Sequence, residues 1–314
     1  MSERLYSPAV IRAVMERHHL RFTKALGQNF LIDGNLVHKI IETAEVQPGD
    51  VVLEVGPGIG TLTQALLEAG AIVVSVELDR TFFPVLRAAF GQNERFHLLE
   101  GDALKLDLGD ALSHIAPVGT PVKVVANVPY YITTPLLRRF LDDTLPVDTV
   151  TVLVQKEVAE RMTATPGNKV YGALTLMIAL YGQAQAAFIV PRTAFLPPPK
   201  VDSAVVHIKK QWPDNVSPEA CAAINLLVRD AFLQRRKMVV KALSKSTGAS
   251  LQALRDALIA RGLPATARAE NLSITDFIAI YKEFGYKKQE DSGADRPRDC
   301  LLYTSDAADD SLRV

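Results

Sequence analysis

The stretch from Val51 to Gly70, VVLEVGPGIGTLTQALLEAG, decides the fold of this chain. It opens with an apolar run that predicts a buried strand, continues through a glycine-rich turn and ends in a helical pattern. The same strand-then-helix order returns in AIVVSVELDR and TFFPVLRAAFG, residues 71–91. Strands that alternate with helices and are continuously apolar indicate a parallel sheet with helices on both faces.

The segments around this stretch extend the pattern. Upstream, Ser7-Pro8 predicts the start of a helix that runs to about residue 19, and the loop KALGQNFLID and a helix in GNLVHKIIETAEV follow. Downstream, three more strands are expected in RFHLLEGDALKLDL, VKVVANVPY and TVTVLVQ. Residues 186–210, AAFIVPRTAFLPPPKVDSAVVHIKK, predict two strands around a proline-rich loop, added antiparallel at the sheet edge.

A purely helical region begins at Ser217-Pro218, with helices expected over 218–245, 250–261 and 273–285. We therefore predict two domains, 1–212 with the sheet and 213–290 with the helices. Residues 291–314 have neither periodicity nor a turn pattern. They are interpreted as a disordered or non-native tail and take no part in the functional reasoning.

The composition excludes several classes of protein. The chain has 314 residues, of which 48% are hydrophobic, enough for a buried core. No apolar run approaches the roughly 20 residues that span a bilayer, and the N-terminus lacks an apolar signal core, so neither a membrane protein nor a secreted one is expected. Two cysteines, Cys221 and Cys300, are too few for a disulfide framework or a cysteine zinc cluster and suit a reducing cytoplasm.

The glycine turn Gly56-Pro57-Gly58-Ile59-Gly60 follows a strand and opens a helix, so a ligand can approach its backbone closely. The third glycine comes one place too early for the dinucleotide fingerprint, and no Walker lysine-serine pair follows. The next two strands end at Glu77, which suits ribose hydroxyls, and at Asp102, which suits the amino group of an adenine. A glycine loop and two acids without a phosphate-binding group favour S-adenosylmethionine over NAD or ATP.

The fourth strand ends in Asn127-Val128-Pro129-Tyr130, next to the expected position of a methyl donor. The amide oxygen of Asn127 and the carbonyl of Val128 can accept the N–H groups of a base amine, which frees its lone pair for attack. Pro129 stiffens the turn, and Tyr130 offers a ring on which a flipped-out base can stack. The pattern indicates a planar nitrogen as substrate, since it also serves the amide of a glutamine side chain.

These motifs together resemble the KsgA (RsmA) family of 16S rRNA adenine N6-dimethyltransferases, over residues 20–285. The resemblance is carried by KALGQNFLID, LEVGPGIGTLT, ELDR, GDAL, NVPYYITTPLL, LVQKEVAERM, FLPPPKVDSAVV, FLQRRKMVVKAL and RAENLSITDF. It implies a Rossmann-like class I S-adenosylmethionine-dependent methyltransferase sheet with a small all-helical C-terminal domain. It implies methylation of two adjacent adenosines in a hairpin near the 3′ end of 16S rRNA, within an immature small subunit.

The resemblance also implies the roles of individual residues. Contacts to S-adenosylmethionine would come from Asn29, Leu31, Gly56, Glu77, Asp102 and Asn127. Asn127 and Tyr130 would hold the target adenine, and Phe195 would stack on its other face. Nothing in the sequence suggests an obligate dimer, so a monomer is expected, and the histidines show no metal-ligand spacing.

A basic cluster in the helical domain, Gln234 to Lys237 (QRRK), is expected to lie on a helix with Lys241 one turn beyond. Phosphate binding is the interpretation we favour for Arg235, Arg236, Lys237 and Lys241, and Lys200 is a further candidate for a contact with RNA.

Three alternatives remain open. A 23S rRNA methyltransferase of the macrolide-resistance type would share the donor site and the Asn127 motif. A ribosome-assembly factor could keep the fold without turnover, although the intact Asn127, Tyr130, Glu77 and Asp102 argue against it. A methyltransferase for a small molecule or a protein glutamine would not need the basic helical domain.

Overall fold

The structure of the protein, a computed structural model, describes residues 4–20, 28–141 and 145–287. Contacts between Cα atoms divide the chain into two compact units. The first comprises Met1–Ala159 and Ala184–Lys210, and the second Glu160–Gln183 and Gln211–Val314. The predicted tail, residues 291–314, lies outside the described residues.

The helices and strands follow the predicted alternation. The strands are β1 Phe30–Leu31, β2 Val51–Val55, β3 Ile72–Glu77, β4 Phe96–Glu100, β5 Val122–Asn127, β6 Val147–Gln155, β7 Gly182–Val190, β8 Phe195–Leu196 and β9 Ser203–Lys210. The first eight helices are α1 Pro8–Arg17, α2 Gly34–Thr43, α3 Thr61–Glu68, α4 Phe83–Phe90, α5 Leu108–Ser113, α6 Thr133–Leu141, α7 Lys156–Met162 and α8 Ala173–Tyr181. The last four are α9 Pro218–Phe232, α10 Val239–Thr247, α11 Leu251–Ala260 and α12 Ile274–Phe284.

The first unit is built on a seven-stranded sheet in the order β4-β3-β2-β5-β6-β9-β7. The strands from β4 to β6 are parallel, and β9 runs antiparallel to β6. The chain proceeds from β2 outward to β4 and then returns to place β5 on the other side of β2. In sheets of this kind, ligands bind at the carboxyl ends of the strands where the order reverses. The predicted parallel sheet with its antiparallel addition is thus confirmed.

Burial explains why β2 is apolar at four of its five positions, because all five of its residues, Glu54 included, are buried. On one face, α2 contributes Val37, Ile40 and Ile41 to the core, and Asp33 caps its first turn by accepting from two backbone N–H groups. Such packing holds the carboxyl ends of the strands in a fixed register.

The second unit contains α8 to α12, and its limits differ from the predicted boundary for residues 160–183. The prediction of a domain over 1–212 placed this segment with the sheet. Helix α8 is apolar on every side, and it packs against α9 and α12. The hydroxyl of Tyr171 donates to the carbonyl of Leu272, 2.8 Å away. Because these contacts join residues distant in sequence, chain order alone did not reveal them.

The helix expected over 218–245 is wrong in its middle. Helix α9 ends at Phe232, α10 begins at Val239, and QRRK lies in the turn between them rather than on a helix. Two distant partners explain the break. Arg235 donates to Glu270, 2.9 Å away, and the backbone N–H of Val239 donates to the carbonyl of Ala267, 2.8 Å away.

Candidate active site

A cavity opens at the carboxyl ends of β2, β3 and β5, where the sheet order reverses. It brings together every residue predicted to contact the methyl donor, and Tyr130 also lines it. The six residues are Asn29, Leu31, Gly56, Glu77, Asp102 and Asn127. They come from five separate parts of the chain, so this convergence depends on the fold.

The glycine loop forms the floor of the cavity. Gly58 has a φ of +57°, and a Cβ atom there would lie 2.7 Å from the ring of Phe30. The position therefore excludes a side chain on both conformational and steric grounds. Phe30 is in β1, which pairs antiparallel with β8 in a short ribbon, where the sequence pattern predicts loops.

The carboxylate of Glu77 fastens the glycine loop to the end of β3. One oxygen accepts from the N–H of Gly58 at 3.0 Å and the other from the N–H of Asp79 at 2.8 Å. Burial raises the pKa of Glu77, and the two backbone N–H groups oppose that rise. The acid predicted to bind ribose therefore also holds the loop in place.

Asp102 follows β4, and one of its oxygens accepts from the N–H of Leu104 at 2.9 Å. A second link at this edge escaped the sequence analysis. The amide of Gln28 donates to Asp79, 2.9 Å away, and both residues line the cavity. Gln28 stands next to Asn29 in KALGQNFLID, and Asp79 stands two residues after Glu77 in ELDR. Proximity to a predicted site residue is the sequence signal that could have identified both.

Glu54 lies in β2 beneath the loop and is 1% exposed. One carboxyl oxygen accepts from the hydroxyls of Thr63 at 2.6 Å and Ser75 at 2.7 Å. Burial raises the pKa of Glu54 to about 7, against the lowering effect of the two hydroxyls, and the nearby charge of Glu77 adds to the rise. Glu54 is therefore largely protonated in mildly acidic solution.

Glu54 should make the stability of the protein depend on pH. The native state keeps a proton that the unfolded chain releases above the ordinary pKa of 4.5. The protonated carboxyl of Glu54 therefore stabilises the native state fully below that pH, and this stabilisation is lost as the pH rises through about 7. The free energy of unfolding should fall by about 3 kcal/mol over this range. Urea denaturation between about pH 5 and 8 measures this fall. The side chain of the Glu54→Gln variant is neutral at every pH, so the variant should lose most of this pH dependence. If the free energies of unfolding of wild type and variant changed equally with pH, the assignment would be contradicted.

The side chain of Asn127 has a defined orientation at the end of β5. Its Nδ2 donates to the backbone carbonyl of Asn29, 2.9 Å away. This bond assigns the amide orientation and leaves Oδ1 to accept from a ligand. Asn127 lines the cavity, and its role as an acceptor for the base amine stays a prediction.

Tyr130 is half-buried and follows Pro129 directly, in a short 3₁₀ helix over Tyr130–Ile132. Its hydroxyl lies 2.8 Å from the hydroxyl of Ser203. Burial raises the pKa of the Tyr130 phenol, and the contact with Ser203 opposes the rise. The phenol is therefore neutral in the physiological range.

The structure places Phe195 elsewhere than predicted. Its side chain is 2% exposed and belongs to the hydrophobic core, and its backbone pairs with Leu31 through β8 and β1. It does not line the cavity described here. The ribbon buries the ring, so the predicted stacking of Phe195 on the target base receives no support.

The charges that line the cavity suit a cationic ligand. Glu77, Asp79 and Asp102 contribute carboxylates, and among the described residues that line it there is no lysine, arginine or histidine. A phosphate would meet unfavourable charge there, whereas a sulfonium and an ammonium group would be attracted. S-adenosylmethionine carries both groups together with an adenosine, so these residues fit the predicted methyl donor.

Two features are absent from the described part of the chain. Within residues 4–20, 28–141 and 145–287, no group of three or more His, Cys, Asp or Glu side chains could hold a metal ion. None of the helices in these ranges is long and apolar enough to cross a membrane.

The basic residues predicted to bind RNA differ in their surroundings. Arg236, Lys237 and Lys241 are exposed, and so is Lys200 in the first unit. Arg235 is half-buried: its guanidinium pairs with Glu270 and also donates to the carbonyl of Lys169 at 2.6 Å. Arg235 thus holds the turn in place, and the exposed cations remain the candidates for phosphate contacts.

The fold and the cavity define a class I S-adenosylmethionine-dependent methyltransferase. The chain matches the model of the family described as ribosomal RNA adenine dimethylase over residues 19–285. It belongs to that family, and it is an enzyme that transfers methyl groups from S-adenosylmethionine to adenine in ribosomal RNA. The predicted family resemblance and enzyme class are confirmed.

Individual relatives agree with this assignment. The chain is 40% identical over 282 residues to ribosomal RNA small subunit methyltransferase A of Alkaliphilus metalliredigens, covering 90% of this chain and 98% of that one. The protein of the same name from Listeria monocytogenes is 37% identical over 296 residues, covering 91% and 98%.

Two solved structures share the fold. A dimethyladenosine transferase from Plasmodium falciparum has a TM-score of 0.65 and 26% identity, covering 81% of this chain and 97% of that one. The 23S rRNA methyltransferase ErmE has a TM-score of 0.64 and 25% identity, covering 82% and 99%.

Proposed function

We propose that this enzyme dimethylates N6 of two adjacent adenosines in the 3′-terminal hairpin of 16S rRNA, within the immature small ribosomal subunit. The observation that carries the reaction is the orientation of Asn127, whose Oδ1 is left to accept from a base amine. The small subunit is favoured because relatives 37–40% identical over about nine-tenths of this chain are named for it. We further propose that the protein acts in the cytoplasm, as a monomer, during ribosome biogenesis.

The chemistry follows from the groups at the end of β5. S-adenosylmethionine supplies a methyl group on a positively charged sulfur. In our proposal, Oδ1 of Asn127 and the carbonyl of Val128 each accept an N–H of the adenine amine. Those bonds draw the nitrogen toward a tetrahedral shape, so its lone pair is available to the methyl carbon. Tyr130 holds the base by stacking. As the nitrogen–methyl bond forms, the methyl–sulfur bond breaks and its electron pair stays on the sulfur, which becomes neutral; the proton of the product nitrogen passes to solvent.

The remaining site residues divide between the donor and the RNA. We propose that Glu77 binds the ribose hydroxyls of S-adenosylmethionine and that Asp102 binds its adenine amino group. The other donor contacts are proposed to come from Asn29, Leu31 and Gly56, which line the same cavity. The exposed Lys200, Arg236, Lys237 and Lys241 are proposed to contact RNA phosphates, since sequence-independent contacts of this kind position a protein on its RNA.

A 23S rRNA substrate is the second candidate, because the likeness to ErmE extends over 82% of this chain. The decisive assay offers the enzyme radiolabelled S-adenosylmethionine and three substrates: unmethylated small subunits, mature large subunits and naked 23S rRNA. Dimethyladenosine, identified by mass, is expected in the small subunit alone. Label in 23S rRNA would move the enzyme to the macrolide-resistance class. Tight binding to small subunits without label in any substrate would leave an assembly factor.

A further inference from the structure

Ser203 carries a buried hydroxyl that contacts Tyr130, one of the residues that line the cavity. It is the first residue of β9, and its side chain is completely buried. Its Oγ lies 2.8 Å from the hydroxyl of Tyr130, although the two residues are 73 positions apart in the chain. Tyr130 lines the cavity beside Asn127 and is only half-buried. Tyr130 therefore lines the cavity while its hydroxyl contacts a buried partner.

The hydrogen bond to Ser203 restrains the Tyr130 ring, whose side-chain torsions could otherwise rotate. The backbone before Tyr130 is held by Pro129, whose φ is −54°, but the side chain still has two torsions to choose. A hydrogen bond at the hydroxyl removes that choice, because the ring is then held at both ends. A stacking surface must be in place before the base arrives if stacking is to favour the reactive geometry.

The position of Ser203 is itself restrained by its neighbours. The carbonyl of Asp202 accepts from the N–H of Lys156 at 3.0 Å, and its carboxylate accepts from the N–H of Arg192 at 2.9 Å. Ser203 pairs with Gln155 at the end of β6, and β6 pairs with β5, which ends in Asn127. The base acceptor and the anchor of the stacking ring are therefore carried by one hydrogen-bonded block of three strands.

We propose that Ser203 is a positioning residue that holds the ring of Tyr130 against the target adenine and fixes its distance from Asn127. This inference rests on the proposed function, since it gives Tyr130 the role of stacking on the substrate base. It assigns a purpose to the antiparallel strand β9, which brings the hydroxyl to the end of a parallel sheet. Ser203 acts only through Tyr130 and touches no reacting atom.

The test compares Ser203→Ala, Tyr130→Phe and the double variant in single-turnover methylation of unmethylated small subunits at saturating S-adenosylmethionine. Each single variant is expected to lower the rate about 10-fold, because each removes the same hydrogen bond. The double variant should be no slower than the slower single one, since partners in one interaction are not additive. Binding of S-adenosylmethionine, measured by calorimetry, should remain within about 2-fold of the wild type.

Thr151→Val is a matched control. Thr151 is a completely buried hydroxyl on β6 whose oxygen lies 2.9 Å from His207 on β9, so it bridges the same two strands. Its loss should lower the melting temperature and leave the methylation rate unchanged. If Ser203→Ala behaves in the same way, with a lower melting temperature and a wild-type rate, Ser203 is structural and the proposal is overturned.

Two further outcomes are distinguishable. If Ser203→Ala does not fold, Tyr130→Phe alone tests the proposal, because phenylalanine keeps the ring and lacks only the hydroxyl. A wild-type methylation rate for Tyr130→Phe overturns the proposal. If the wild-type enzyme methylates 23S rRNA and not small subunits, the proposed substrate fails, and the same comparison on 23S rRNA then tests Ser203.

Discussion

Replacing Asn127 by alanine is expected to reduce the rate of adenine methylation by about 100- to 1000-fold, comparable to the loss of one preorganised group that stabilises a transition state. The amide oxygen is the acceptor that the geometry offers to the base amine, because Nδ2 is held by the carbonyl of Asn29. Alanine removes both the acceptor and that hydrogen bond. Single-turnover methylation at saturating S-adenosylmethionine measures the effect on the chemical step.

Donor binding must be measured alongside the rate, since Asn127 was also predicted to contact S-adenosylmethionine. We expect its dissociation constant to rise by no more than about 10-fold, the loss of one hydrogen bond. Asn93→Ala is a suitable control, because Asn93 accepts a backbone N–H in the turn before β4 and is not among the cavity residues. A rate for Asn127→Ala within a few-fold of the wild type would remove the central element of the proposed chemistry.

Replacing Glu77 by glutamine should weaken the binding of S-adenosylmethionine by at least about 100-fold, the loss of charge-assisted hydrogen bonds. Both carboxylate oxygens accept from backbone N–H groups, those of Gly58 and Asp79. In either orientation, the amide of glutamine therefore places its NH₂ group against an N–H. The variant loses the negative charge expected to face the ribose and also loosens the glycine loop. Isothermal titration calorimetry gives the dissociation constant directly.

Glu100→Gln provides the matched control for this experiment. Glu100 lies beside Glu77 in the register of β3 and β4, but its side chain pairs with Arg87 on the surface. The exposed charge is expected to matter little, so donor binding should be unchanged. Equal affinities for wild type and Glu77→Gln, with the fold intact by circular dichroism, would place the donor somewhere other than this cavity.

Local sequence patterns were sufficient to predict the parallel strands and the residues at their carboxyl ends. Continuous apolar runs predicted the parallel strands, because a strand buried on both faces can carry few polar side chains. Glu77, Asp102 and Asn127 could be chosen because each stands where a strand ends, and parallel strands bring their carboxyl ends to one edge. The structure places all three on one cavity. For a residue at the end of a predicted parallel strand, the local sequence is therefore enough to predict its approximate location in the fold.

Contacts between distant residues were decided only by the tertiary structure. Arg235 turns toward Glu270, 35 residues away, which breaks the expected long helix, and β8 pairs with β1, which buries Phe195. Ser203 meets Tyr130 across 73 residues. Periodicity reports which face of an element is buried, but it does not report which element covers that face. The sequence by itself therefore determined the class of fold and the residues predicted to bind the donor, while packing decided which other residues contact them.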